Sequence, residues 1–319
     1  ARLAVPALKE LRDEFAADQI PVLLLNANVH DDVKSIREEA EEFEIDLPIL
    51  VDEAQLVAES LGVTRTCEVF VIDPKKLEIV YRGPLNDQFD YEVQRAAATR
   101  HYARDVVAAM VAGEDVATES AAVKGCLVSF PRRKADAQRK ISYVDEVAPI
   151  LQRRCTGCHK ENGIAPFAMT SHESVVGWSE MMRETVMTTR MPPGQIDREF
   201  GEWADVHMID PEEKATLVHW IEAGAPKDGA EDPLTTVEAA PEGKWRLGEP
   251  DLIVEIPPQD VPATGVVDYR YVTLPLELSE VKWLRGYEFY IDHPAVVHHI
   301  TTSTVTLGGE NEDENPNDS

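Results

Sequence analysis

Cys155-Thr156-Gly157-Cys158-His159 places two thiols and an imidazole within five residues. On a short helical turn, that spacing sets both sulfurs and the ring against one edge of a flat ligand. The chemistry that needs this pattern is covalent attachment of a c-type haem, with thioether bonds from both cysteines and the histidine as proximal iron ligand. A thioredoxin-type redox pair or half of a zinc site would also use Cys-x-x-Cys. The first normally follows a strand and needs no adjacent histidine, and no second Cys-x-x-Cys completes the second. The spacing therefore predicts Cys155 and Cys158 as haem-binding thiols and His159 as an axial ligand of one haem c.

A sixth ligand must come from elsewhere. Met191-Pro192-Pro193-Gly194 is the best candidate, because two prolines fix an extended loop without backbone donors and can hold a thioether at an iron. His207 stands next. Met181, Met182 and Met187 lie on an expected helix and read as core filler; Met169, Met208, His172 and His219 are also within range. Trp178 and Trp203 read as core packing. A Met191/His159 pair would raise the redox potential relative to two histidines, as suits a relay of single electrons.

The chain has 319 residues, 43% of them hydrophobic, enough for two or three domains. Lys and Arg total 31 against 59 Asp and Glu, a formal charge of −28 with histidines neutral. Such a surface argues against nucleic acid and against anionic membranes as partners, and no apolar run reaches the length of a membrane span. Haem attachment in bacteria occurs outside the cytoplasm, so the motif implies an exported protein, periplasmic or extracellular, from which a leader has been removed. Cys67 and Cys126 are the two remaining cysteines. They are expected either to bridge, as exported cysteines can, or to be free buried thiols.

Around the motif, Val144, Val147, Ile150 and Leu151 fall at helical spacing and predict a short helix leading into Cys155. Asp210-Pro211-Glu212-Glu213 predicts a helix start, Leu217, Trp220 and Ile221 its apolar face, and Gly224 its end. Ile164-Ala165-Pro166-Phe167 is expected to line the haem pocket on the proximal side. Toward the N-terminus the pattern alternates: a helix ending near Asp18, a strand over Ile20–Leu25, a helix over Val33–Phe43 and another closing at Val57–Leu61. Strands over Val69–Asp73 and Glu78–Arg82 and a long helix from about Tyr91 to Val111 follow. This order implies an α/β layer fold. Arg132-Arg133-Lys134 and Arg139-Lys140 form a basic patch in a linker, read as linker composition with a docking site as the alternative. Past Trp245, apolar alternation predicts strands and an all-β sandwich.

Three resemblances follow from these residues. Leu61-Gly62-Val63-Thr64-Arg65-Thr66-Cys67-Glu68-Val69-Phe70-Val71-Ile72-Asp73-Pro74 with Tyr81-Arg82-Gly83 resembles a thioredoxin-like redoxin of the peroxiredoxin-related kind. That family carries a cis-proline where Cys67 stands. Its first strand and redox cysteine would lie before Ala1, so a docking or structural role is expected over peroxidase chemistry. Residues 141–225 resemble a class I cytochrome c, whose axial methionine often lies in a Met-Pro loop. Ala295-Val296-Val297-His298-His299-Ile300, after Lys282-Trp283-Leu284-Arg285, resembles the first half of a copper type II ascorbate-dependent monooxygenase. That resemblance implies a copper held by His298 and His299, with His293 a weaker stand-in for a third ligand. On pattern alone, adjacent histidines on a strand face opposite ways and favour no shared metal.

The expected organisation is a redoxin domain over 1–130 (α/β, without its first strand), an all-α cytochrome c domain over 140–228 and a partial all-β domain over 246–319. The order resembles multidomain bacterial proteins that join these three modules. The expected function is electron transfer by an exported haem c protein with a periplasmic redox partner, feeding a copper centre in a longer polypeptide. The alternative is a non-catalytic structural or assembly subunit that keeps its haem inside a larger periplasmic complex.

Overall fold

The computed structural model describes residues 2–88, 95–116, 121–194, 196, 201, 208–236, 245, 247–276, 278–297 and 299–304. It divides into two compact units, Ala1–Val147 with Trp178–Asp228, and Ala148–Gly177 with Gly229–Ser319.

The first unit begins with α1 (Val5–Glu14), started by a proline in its first turn. Strand β1 (Leu24–Asn26) pairs in parallel with β2 (Ile49–Val51), Leu24 opposite Ile49. Between them runs α2 (Val33–Glu42), whose N-terminus is closed by a reciprocal cap. The Ser35 amide donates to Asp32 Oδ1 at 2.7 Å, and the Asp32 amide donates to Ser35 Oγ at 2.9 Å. Helix α3 (Leu56–Ser60) starts on Asp52, whose carboxylate accepts from the Ala58 amide at 2.8 Å. Strands β3 (Glu68–Asp73) and β4 (Glu78–Pro84) form an antiparallel hairpin with a register shift at Val71/Ile72. Helix α4 (Tyr102–Ala112) covers the hairpin, and the core between them is Leu11, Phe15, Val71, Tyr81, Ala103, Val106 and Val107.

The elements expected over 33–43, 57–61, 69–73 and 78–82 stand within one or two residues of those observed. The long helix from Tyr91 does not. Asp87 accepts from the Thr99 amide at 2.7 Å and the Arg100 amide at 3.0 Å, and pairs with Arg95. Those bonds wrap residues 95–100 around one carboxylate, held below its usual pKa by Thr99 and Arg100, so the helix starts only at Tyr102.

The same unit contains α5 (Pro131–Gln138), α8 (Ser179–Met187) and α9 (Pro211–Glu222). The start of α9 is as the sequence implies: Asp210 caps it, Glu213 closes the cap, and Gly224 leaves it at φ 89°. Trp220 is fully buried, stacks on Tyr143 at 5.9 Å and donates its indole N–H to Pro226 O at 2.9 Å. The arginines of the basic patch are spent internally. Arg132 bonds Asp136 at 2.7 Å, Thr216 at 2.7 Å and Glu212, while Arg133 pairs with Glu222. Arg139 reaches Asp136 at 2.9 Å and Glu146 at 2.7 Å. Helix α5 is thus clamped onto α9 by charge in a strongly acidic chain. Trp178 is 42% exposed, against the core role expected of it; Trp203 lies outside the described residues.

In the second unit, α6 (Ala148–Arg154) buries Ala148, Ile150 and Leu151 and packs on a 3₁₀ turn over Pro233–Thr236. Gln152 Nε2 donates to Pro233 O at 3.0 Å, and Leu234 fills the contact at 2% exposure. Helix α7 (His172–Gly177) is anchored by its His172 amide on Asp232, 2.6 Å away. The all-β sandwich expected over 246–319 is not formed among the described residues, which there contain a single 3₁₀ turn, Pro294–Val296, and no strand. Apolar alternation marks a segment able to pair, but a strand exists only with a hydrogen-bonded neighbour. Here Val266, Tyr271, Val281 and Trp283 are 91–96% exposed and no ladder joins them.

Because Trp220 anchors α9 against Tyr143, Trp220→Ala should cost about 3–5 kcal/mol. Urea denaturation followed by circular dichroism measures this.

Candidate functional site

Helix α6 delivers the Cys-x-x-Cys-His turn. Its hydrogen bonding runs on past Arg154: the Cys155 amide donates to Leu151 O at 2.8 Å and Thr156 to the same carbonyl at 3.0 Å. The Cys158 and His159 amides then both donate to Cys155 O, at 3.1 and 2.9 Å. These i→i+3 and i→i+4 bonds wind the five residues into one turn, so Cys155, Cys158 and His159 share a side. Thr156 turns inward instead, its hydroxyl donating to Gln152 O at 3.0 Å. Cys158 is exposed and Cys155 half-buried. A Cβ added at Gly157 would meet no atom within 4 Å, so the middle of the turn faces open space.

His159 is buried to 8% exposure, and its Nδ1 lies 3.0 Å from Phe167 O. A carbonyl oxygen only accepts, so Nδ1 must carry the proton and donate it. The other ring nitrogen, Nε2, then holds the lone pair a metal needs. Burial lowers the His159 pKa, and the Phe167 bond only partly offsets this, so the ring is neutral at pH 7. The Phe167 ring sits 4.5 Å from the imidazole at 58°, and the Met169 amide donates to His159 O at 2.9 Å. The segment 164–169 therefore fixes both ring and backbone of His159. Of its members expected at the haem pocket, Phe167 touches the imidazole, while Ile164 is 38% exposed.

This donor set fits a c-type haem. Two thiols and an imidazole of fixed tautomer lie on one turn.

Met191 follows α8 in the first unit, 37% exposed, its amide donating to Thr185 O at 3.1 Å. Its side chain is not packed as core, in contrast to Met182, at 6% exposure. His207 and His298 lie outside the described residues. His299 is exposed, its ring 5.5 Å from Tyr269, and His293 precedes the turn Pro294–Val296. Among the described residues, no three His, Cys, Asp or Glu side chains come together as a metal site. Cys67 and Cys126 are free and exposed rather than buried. The Thr66 amide donates to Cys126 O at 2.9 Å and the Cys126 amide to Thr66 Oγ1 at 3.0 Å, so Thr66 stands opposite Cys126 and Cys67 one step beyond. Cys67 adopts φ 61°, a left-handed backbone in which proline cannot stand.

Two features escaped the sequence reading. The Phe167 carbonyl is a backbone atom and leaves no signal in residue type. His219 is bonded to Asp136 and Glu59 and is no candidate for an iron. Its position on the apolar face of α9, in a chain with an isolated Arg-rich stretch, was the available signal.

Residues 1–81 match the AhpC/TSA family. The thioredoxin-like redoxin reading of the N-terminal region is supported over that span, and with it a redox-related function. Two solved structures each overlap 40% of the chain. A hypothetical protein from Sinorhizobium meliloti 1021 is 24% identical over 70% of its own length, with a TM-score of 0.35. An uncharacterized conserved protein from Geobacillus kaustophilus is 22% identical over 68% of its length, with a TM-score of 0.34. No curated protein matches the chain.

In haem-free protein, the His159 imidazole should titrate below 6.5 with Nδ1 as the protonated nitrogen of its neutral form. Nitrogen-15 NMR of the imidazole reads both properties; a titration at or above 6.5 would contradict the dominance of burial, and a neutral form protonated on Nε2 would contradict the Phe167 bond.

Proposed function

We propose that this chain is an exported electron-transfer protein that carries one c-type haem on Cys155 and Cys158, beside a redoxin region with a structural role. The observation that carries the reading is the His159–Phe167 bond at 3.0 Å, at the end of a turn that also presents both thiols. A histidine in a thioredoxin-type motif needs no fixed tautomer; a metal-ligating one does. Cys155 and Cys158 would form the two thioethers, and His159 Nε2 would supply the axial lone pair. Phe167 would hold the ring plane by keeping Nδ1–H engaged. Bound there, the haem supplies a one-electron Fe(II)/Fe(III) couple.

Met191 is the proposed sixth ligand, supported by its exposed thioether and by the Pro192-Pro193 backbone that follows it. A redox protein partner would exchange the electron. Among the described residues no helix is long and apolar enough to cross a membrane. A role for the redoxin region in positioning rather than thiol chemistry is supported by the left-handed Cys67 and by the charge clamp that binds α5 and α9 to the same unit. Copper at His298 and His299 is not needed for this function.

Expressed in the periplasm together with a haem-attachment system, the protein should show a low-spin ferrous spectrum, and a weak near-infrared Met–iron band when oxidised. Met191→Ala should abolish that band and lower the midpoint potential. A high-spin spectrum in the unsubstituted protein would remove the relay, and an unchanged band in the variant would remove Met191.

A further inference from the structure

We propose that His219 is a pH-sensitive latch, holding α3 of the redoxin region to α5 and α9 while its imidazole is protonated and releasing the α3 side when it is not. This reading is independent of the haem and goes beyond it. His219 lies on α9 with a side chain 3% exposed. Its Nδ1 is 2.8 Å from Asp136 Oδ2 of α5, and its Nε2 is 2.9 Å from Glu59 Oε2 of α3. Those carboxylates are themselves 2% and 10% exposed.

The geometry sets the charge state. An ionised carboxylate offers only acceptors, so both ring nitrogens must carry protons to satisfy both bonds. Burial works against the charge on His219, but the hydrogen bonds to Glu59 and Asp136 outweigh it and raise the pKa above 6.5. Burial likewise opposes ionisation of Asp136, yet its bonds from His219 and Arg132 hold its pKa below 3.8.

A neutral imidazole has one N–H and must give up one of the two bonds. The surroundings decide which. Asp136 keeps Arg132 at 2.7 Å and Arg139 at 2.9 Å without His219. Among the described residues Glu59 otherwise has only Arg133 at 3.8 Å, an arginine already paired with Glu222, and its Oε1 has no hydrogen-bond partner there. Glu222 is held by Arg183 from α8 at 2.7 Å, Glu212 engages Arg132, and Glu146 takes Arg139. Asp52, ahead of α3, adds a further acidic group facing Glu59. Lys214 of α9 acts on Asp52. Loss of the His219 proton therefore leaves Glu59 with the 3.8 Å contact to the shared Arg133 as its cationic neighbour, weaker than what Asp136 keeps, and the bond to Glu59 is the one that breaks. What remains between α3 and the helices is the longer Glu59–Arg133 contact and the apolar contact of Leu56 with Val186 and Val218, which does not respond to pH.

The sign follows from the shift. With its folded pKa raised, His219 contributes fully below pH 6.5, and the contribution is lost as pH rises through the folded value. At the acid end, the Asp136 contribution is present above pH 3.8 and is lost as pH falls through its depressed value.

The test is hydrogen exchange by mass spectrometry on the full chain across neutral to alkaline pH, corrected for intrinsic exchange, with His219 followed by NMR. Protection of the α3 amides should fall by up to about tenfold for each pH unit between 6.5 and the His219 titration and level off above it, while that of the β3–β4 hairpin holds. Glu59→Gln should move the His219 titration down and flatten the α3 response, and His219→Gln should abolish it. Protection of α3 that is independent of pH would overturn the latch, as would loss in step with the hairpin or a His219 titration at or below 6.5.

Discussion

A neutral imidazole carries one N–H, and what stands opposite each ring nitrogen decides what a buried histidine can do. His159 faces a single backbone carbonyl, Phe167 O at 3.0 Å. It is left neutral, with one nitrogen spoken for and the other able to bind a metal. His219 faces two carboxylates at 2.8 and 2.9 Å, which call for a charged ring with no lone pair to give. Two histidines of similar burial, 8% and 4% exposed, thereby acquire opposite chemistries. The proposed haem site and the seam among α3, α5 and α9 both rest on that single constraint.

Charge is the second organising feature. A chain with a formal charge of −28 has few cations to spend, and Arg132, Arg133 and Arg139 are spent on acids of its own. Exposed pairs contribute little to stability, about 0–1 kcal/mol each. The pairs on Asp136 differ, because a carboxylate 2% exposed without its partners would be a buried, uncompensated charge. Such a network fixes which faces meet more than how strongly they hold.

Much of this was legible in the sequence because the signals were local. Asp210-Pro211 and Gly224 bound α9 by capping chemistry that needs no tertiary partner, and the β3–β4 hairpin follows from alternation over 68–84. Cys155, Cys158 and His159 were identified by spacing alone, and the structure places them on one turn. What could not be read depends on distant partners. The Asp87 loop displaced the start of α4 to Tyr102, a contact between segments twelve residues apart. The strands expected beyond Trp245 had the right pattern, but among the described residues they acquire no neighbour to pair with. The Phe167 carbonyl carries no side-chain signature, although it decides the tautomer of His159.

The central claim, that Cys155 and Cys158 hold a haem covalently, is tested most directly by intact mass under denaturing conditions. The measurement is made on protein exported in the presence of a haem-attachment system. The account requires the polypeptide mass plus one haem, retained through acid and organic solvent and lost when both cysteines are changed to alanine. A polypeptide of unmodified mass, with both thiols open to alkylation, would contradict it.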